Sequence, residues 1–233
     1  MMSRLPITVF YHCYIPDTSL ALYWNWWIDE QLGVIEKSKL HEVADIKMAI
    51  TMPRHWVNLD KYITSNFFEG YVRDYISTRF PFVEILDVRD TGDINLYEGQ
   101  TLKFLHDHCK RTDGYVLYFH TKGVTSMCVE TKVWRNLLEE VLINQWQIRY
   151  HDIQKYDCLG VLDGNPKVYS ANFFWAKNAY IASLPEPVSR DRYYYENWIN
   201  INNPVRGVVL DFKNKDMYNE LFFYNKIDFS KMQ

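Results

Sequence analysis

The 233-residue chain is short of the residues that make linkers. Its 9 glycines and 8 prolines are scattered, and it has no low-complexity tract, charge block or internal repeat. That predicts one compact unit over residues 1–233 in place of a string of modules. No stretch reaches the roughly 18 consecutive apolar residues of a membrane span, and Met1 to Pro6 has no apolar core of a secretory signal. The expectation is a soluble, cytoplasmic protein. Neither sign of charge is in excess: 26 Lys+Arg face 29 Asp+Glu, a net of −3. General attraction to nucleic acid or anionic membrane is thereby excluded, and any phosphate recognition must be local. The four cysteines, Cys13, Cys109, Cys128 and Cys158, form no Cys-x-x-Cys and no zinc-ligand spacing, so they read as reduced structural thiols.

Familiar site motifs are missing as well. There is no Gly-x-x-x-x-Gly-Lys-Ser/Thr, Gly-x-Gly-x-x-Gly, Gly-x-Ser-x-Gly or His-Glu-x-x-His. This argues against a P-loop NTPase, a dinucleotide oxidoreductase, an α/β-hydrolase and a zincin.

What the sequence does hold is a regular alternation. Strands are predicted at Ile7–His12, Ile46–Thr51, Phe82–Val88, Tyr115–Phe119, Tyr156–Val161 and Val205–Leu210. Between them lie helical patterns. One is capped by Thr18 or Ser19 and carries Leu20, Trp24, Trp27, Ile28, Leu32 and Ile35. A second runs from Tyr62 to Arg79 with Phe67, Tyr71 and Tyr75 on one side, a third covers Gln100–Lys110, and a long one covers Lys132–Tyr150. Further helices are expected up to Leu184 and over Arg190–Ile199. The β-α-β order predicts an α/β fold with a mostly parallel sheet and helices on both faces.

The central strand belongs to the run Gly114 to Gly123, apolar until it ends at His120-Thr121-Lys122-Gly123. Open α/β sheets bind ligands at the carboxyl ends of their strands. His12, Asp90, Asp93, His120 and Lys122 all follow predicted strands, so they would share one rim. A cationic amine, imidazoles and carboxylates suit a diphosphate, with Lys122 on phosphate and a carboxylate or imidazole available for a divalent ion. Aromatic residues make up 17% of the chain. Trp175 and Trp198 could offer flat faces to a sugar, while core packing is the commoner use of such rings.

Four segments carry a resemblance: Tyr118-Phe119-His120-Thr121-Lys122-Gly123, Trp134-Arg135, Ser170-Ala171-Asn172-Phe173-Phe174-Trp175-Ala176, and Arg192 with Glu196-Asn197-Trp198-Ile199. In this order they resemble a family of small GT-A-fold glycosyltransferases, found in chlorella viruses that glycosylate their own capsid protein. The resemblance implies a Rossmann-like GT-A sheet. Residues 1–123 would form the nucleotide-sugar-binding half and 124–233 the acceptor-side half. It also implies a UDP-linked donor, a glycan or glycoprotein acceptor, and hexosyl or deoxyhexosyl transfer. Donor contacts would come from His12, Asp90, Asp93, His120, Thr121, Lys122, Arg135 or Lys132, and Asn172. Many GT-A enzymes hold Mn²⁺ or Mg²⁺ with Asp-x-Asp where this chain has His120-Thr121-Lys122. Either Lys122 supplies the positive charge, or an ion is held by His120 with Asp90 or Asp93. The same resemblance makes Glu196 the base for the acceptor hydroxyl; a pair with Arg192 is its ordinary alternative. A non-catalytic nucleotide-sugar or carbohydrate-binding module and a nucleotidyltransferase are the competing readings.

Overall fold

The computed structural model describes residues 5–16, 23–52, 65–90, 98–121, 124, 129–162, 169–189 and 191–211. Inside its sheet lies β1 (Ile7–Tyr14), whose β-branched and aromatic residues are buried on both faces, as an interior strand requires. Parallel to it run β2 (Asp45–Met52) on one side and β4 (Tyr115–His120) on the other, and β3 (Val83–Asp90) lies parallel beyond β2. β5 (Cys158–Leu162), β6 (Tyr169–Lys177) and β7 (Arg206–Asp211) complete a seven-stranded sheet ordered β3-β2-β1-β4-β6-β5-β7. β6 runs antiparallel to both β4 and β5. The chain therefore has the α/β, Rossmann-like, mostly parallel architecture expected.

Side chains alternate across β1. Val9, Tyr11 and Cys13 enter one core with α1 (Trp24–Lys37), α2 (Ser65–Arg79) and α4 (Val129–Glu139). Phe10 enters the other, with Leu102 and Leu105 of α3 (Gly99–Cys109), Ile181 of α6 (Asn178–Ser183) and Tyr195 of α7 (Arg192–Asn197). Cys13, Cys109 and Cys158 are free and buried, as expected of structural thiols, and Cys128 lies outside the described residues. Among the described residues no helix is long and apolar enough to cross a membrane.

Several expectations are corrected. The predicted helix over Lys132–Tyr150 is interrupted: α4 ends at Glu139, a π turn follows over Glu140–Asn144, and α5 (Trp146–Asp152) resumes. The wider turn brings the consecutive residues Val141, Leu142 and Ile143 all into the core, which one α-helical stripe would not do. In α2 the packed residues are Phe68, Val72 and Ile76, while Tyr71 is 54% exposed. Trp175 and Trp198 are fully buried, their indole N–H groups donating to Leu142 O and Pro185 O, both at 2.8 Å. They pack the core and present no face to a sugar. Of the helix readings, Thr18, Ser19, Leu20, Tyr62 to Thr64 and Arg190 lie outside the described residues, as does the side chain of Phe67.

Candidate functional site

The site lies where β1 and β4 end. His12 and His120 are opposite one another in the parallel register, on the face that looks toward α3. His12 Nδ1 is 2.8 Å from Thr101 Oγ1 in the first turn of α3. Immediately before that helix stands Glu98, 8% exposed. Its Oε2 accepts from the Tyr118 hydroxyl of β4 and, at 3.0 Å, from Asn172 Nδ2.

Asn172 reaches this position because β6 is antiparallel, so the start of β6 sits at the rim where β4 finishes. The pairing of β5 with β6 jumps from Gly160–Phe174 to Leu162–Tyr169, and within that irregular stretch Asn172 takes φ +54°, a left-handed conformation that Asn tolerates better than most residues. Its amide also donates to Tyr195 O at 3.3 Å, tying α7 to the same point. Asn172 Oδ1 is buried with no hydrogen-bond partner among the described residues. Close packing seats α7: a Cβ on Gly99 would fall 2.6 Å from the Tyr195 ring.

Burial lowers the His12 pKa to about 4, with the charge of His120 adding to the effect and that of Glu98 opposing it. His12 is therefore a neutral imidazole at pH 7. Burial and the adjacent Glu98 raise the Tyr118 pKa well above its ordinary value, so Tyr118 stays a hydroxyl donor. Thr121 closes the rim from β4 to β1. Its N–H donates to His12 O at 3.1 Å, and its hydroxyl accepts from Tyr14 N at 2.8 Å and faces Tyr14 O at 3.2 Å.

On the opposite face of the sheet a buried polar group supports the same corner. Gln31 of α1 accepts from Tyr11 OH at 2.8 Å and donates to Glu139 Oε1 at 2.9 Å and to His120 O at 3.2 Å. Arg135 bonds Glu30 at 3.1 Å and lies 3.6 Å from Glu139. Burial outweighs that guanidinium and raises the Glu139 carboxyl to about 7.

Residues 10–215 match the family described as Domain of unknown function (DUF8361). The chain belongs to this family. No curated protein matches the sequence. Among solved structures, a protein assigned as a nucleotide-diphospho-sugar transferase from Desulfovibrio desulfuricans G20 is similar at 9% identity, over 97% of this chain and 91% of that one, with a TM-score of 0.48. 4-Diphosphocytidyl-2C-methyl-D-erythritol synthase is similar at 12% identity, over 91% and 90%, with a TM-score of 0.33.

In this DUF8361 domain the fold brings His12, His120, Thr121 and Asn172 together. Asp90 ends β3, which β2 and β1 separate from β4, so it stands three strand spacings, roughly 14 Å, along the rim from His120. Asp93 and Lys122 lie outside the described residues. Arg135 is buried between two carboxylates, and Lys132 lies 4.5 Å over the Trp26 ring and 3.9 Å from Glu30. Glu196 is half-buried on α7, next to the Tyr195 carbonyl that holds Asn172. No group of three or more His, Cys, Asp or Glu is placed to hold a metal among the described residues; of the expected ligands, His120 and Asp90 stand on strands three spacings apart, and Asp93 lies outside the described residues.

The sequence reading missed Glu98, Thr101, Gln31 and Glu139. An acidic residue directly before Gly99 and an amphipathic helix was a signal for Glu98. Gln31, inside the apolar stripe Trp27-Ile28-Leu32-Ile35, was a signal of a buried polar contact.

Proposed function

We propose that this DUF8361 domain is a single GT-A-like glycosyltransferase unit that moves a hexosyl or deoxyhexosyl group from a UDP-linked donor to a glycan or glycoprotein acceptor. The observation that carries the reading is the convergence of His12, Glu98, Thr101, His120 and Asn172 on the carboxyl ends of β1 and β4, the rim at which a sheet of this order takes a nucleotide. The neutral His12 and the buried Asn172 amide supply hydrogen-bonding groups to the donor, and Lys122, next in sequence to Thr121, supplies positive charge to the diphosphate. Glu196 takes the proton of the acceptor hydroxyl as its oxygen bonds to the anomeric carbon and the bond to the diphosphate breaks, releasing UDP. A viral capsid glycoprotein as acceptor rests on the resemblance of the four ordered sequence segments alone.

Calorimetric titration with UDP, UDP-glucose and other nucleotides, with and without Mn²⁺ or Mg²⁺, tests this reading, together with assays of UDP release. We expect binding of a nucleoside diphosphate and slow donor hydrolysis. Glu196→Gln should abolish turnover with donor binding intact, and Lys122→Ala should weaken donor binding. Absence of binding to every nucleoside diphosphate would overturn the reading; binding without hydrolysis or transfer would favour a non-catalytic nucleotide-sugar-binding module.

A further inference from the structure

A second polar site lies at the other end of the sheet, on β7, which β5 and β6 separate from β4. A cavity of about 180 Å³ opens there between α5 and the strands. It is lined by Arg149, Asp152, Lys155 and Tyr156, by Leu159 of β5 and by the Gly207-Val208-Val209 stretch of β7. Its wall is fixed by close packing: a Cβ on Gly207 would meet the Tyr156 ring at 2.6 Å and Leu159 Cβ at 2.9 Å. Arg149 is 8% exposed, and its Nε is buried with no hydrogen-bond partner among the described residues. Among the described residues its one ion pair, to Asp152 Oδ2, is long at 3.4 Å. Burial lowers the Arg149 pKa from its ordinary value, and Asp152 restores only part of it.

Two cations, Arg149 and Lys155, thus face one carboxylate, and a guanidinium donor is left unpaired out of water, a state that is costly unless an acceptor arrives. A neutral ligand would not match the surplus positive charge. An oxyanion would, because the planar guanidinium fork presents parallel N–H groups to two oxygens while a lysine adds a mobile charge from the side. We propose that the Arg149–Lys155 cavity is a binding site for a small oxyanion, a phosphate or a carboxylate, separate from the β1–β4 rim.

The test is NMR of the arginine ¹Hε–¹⁵Nε resonances in the intact chain, titrated with inorganic phosphate and, separately, with acetate, against sodium chloride at equal ionic strength. We expect the Arg149 resonance, identified by its loss in Arg149→Gln, to move saturably with one or both anions and not with chloride. Lys155 is exposed, so Lys155→Gln should fold normally and weaken the apparent affinity by about threefold to tenfold, as loss of one charge-assisted contact does. Whichever of phosphate and acetate saturates at lower concentration names the group. Should Arg149→Gln fail to fold, Arg149→Lys identifies the resonance equally well. The proposal is overturned if neither anion moves the resonance more than chloride does, or if Lys155→Gln leaves the affinity unchanged.

Discussion

Asn172 donates its side-chain amide to Glu98 at 3.0 Å, and this bond joins the irregular start of β6 to the start of α3 across the end of β4. Asn172 holds a left-handed backbone to do so. Asn172→Ala therefore loses two things: the pairing of a buried carboxyl oxygen, at about 1–3 kcal/mol, and the Asn tolerance of φ +54°. Asn172→Gly loses the first and recovers about 1 kcal/mol of the second. Urea denaturation should rank the wild type above the Gly variant and the Gly variant above the Ala variant. Equal stability of Gly and Ala would show that the backbone there is unstrained.

Two buried groups on opposite faces give opposite pH dependence. His12 is held at about 4 against an ordinary 6.5, so between those values the unfolded chain binds more protons and stability rises with pH. Glu139 is held at about 7 against an ordinary 4.5, so between those values the folded chain binds more protons and stability falls as pH rises. From about pH 4.5 to 6.5 the two contributions offset each other. Removing either one exposes the other: His12→Gln should lose stability as pH rises from 4.5 to 7, and Glu139→Gln should gain stability as pH rises from 4 to 6.5. Each slope should approach about 1.4 kcal/mol per pH unit. Chemical denaturation at half-unit steps of pH checks the signs, and parallel profiles for the two variants would refute the pairing.

Why part of this was readable in the sequence follows from what each residue reports. β1 and β4 are buried on both faces, so Ile7-Thr8-Val9-Phe10 and Tyr115-Val116-Leu117-Tyr118 are plain in composition, and the histidines that follow these runs, His12 and His120, mark the rim. The direction of β6 was not readable, because Phe173-Phe174-Trp175 is equally apolar in either sense, and that direction is what delivers Asn172 to Glu98. Nor does any local pattern reveal that Arg135 faces Glu30, more than one hundred residues away, as well as Glu139, four residues away. Glu139 lies one turn on from Arg135 and would have been a fair guess; Glu30 depends on how α1 packs on α4.

Glycine substitutions distinguish close packing from slack. At Gly99 an added Cβ meets the Tyr195 ring at 2.6 Å. Gly99→Ala must therefore displace the buried Tyr195 ring, and with it α7, or the start of α3, at about 1–3 kcal/mol. At Gly33, inside α1, nothing lies within 4 Å. Gly33→Ala should stabilise the chain by about 0.5–1 kcal/mol through helix propensity. Because Tyr195 precedes Glu196, Gly99→Ala should also reduce transfer by more than its stability loss explains. A Gly99→Ala protein as stable and active as the wild type would show that α7 yields at no cost.

Thr121 links the end of β4 to β1 through three contacts, and its hydroxyl makes two of them, both to Tyr14. Thr121→Val keeps the shape and removes the hydroxyl, leaving the Tyr14 N–H without its acceptor; we expect a loss of about 1–3 kcal/mol. Thr121→Ser keeps the hydroxyl and should hold most of that stability, losing only the methyl contact of a residue that is 4% exposed. The donor-binding consequence separates anchoring from mere stability. Lys122 follows directly in the chain, so a slack anchor at Thr121 misplaces the charge proposed for the diphosphate. UDP affinity measured well below the unfolding midpoint should drop in Thr121→Val and persist in Thr121→Ser. If both variants bind UDP as the wild type does, Thr121 serves the sheet and not the site.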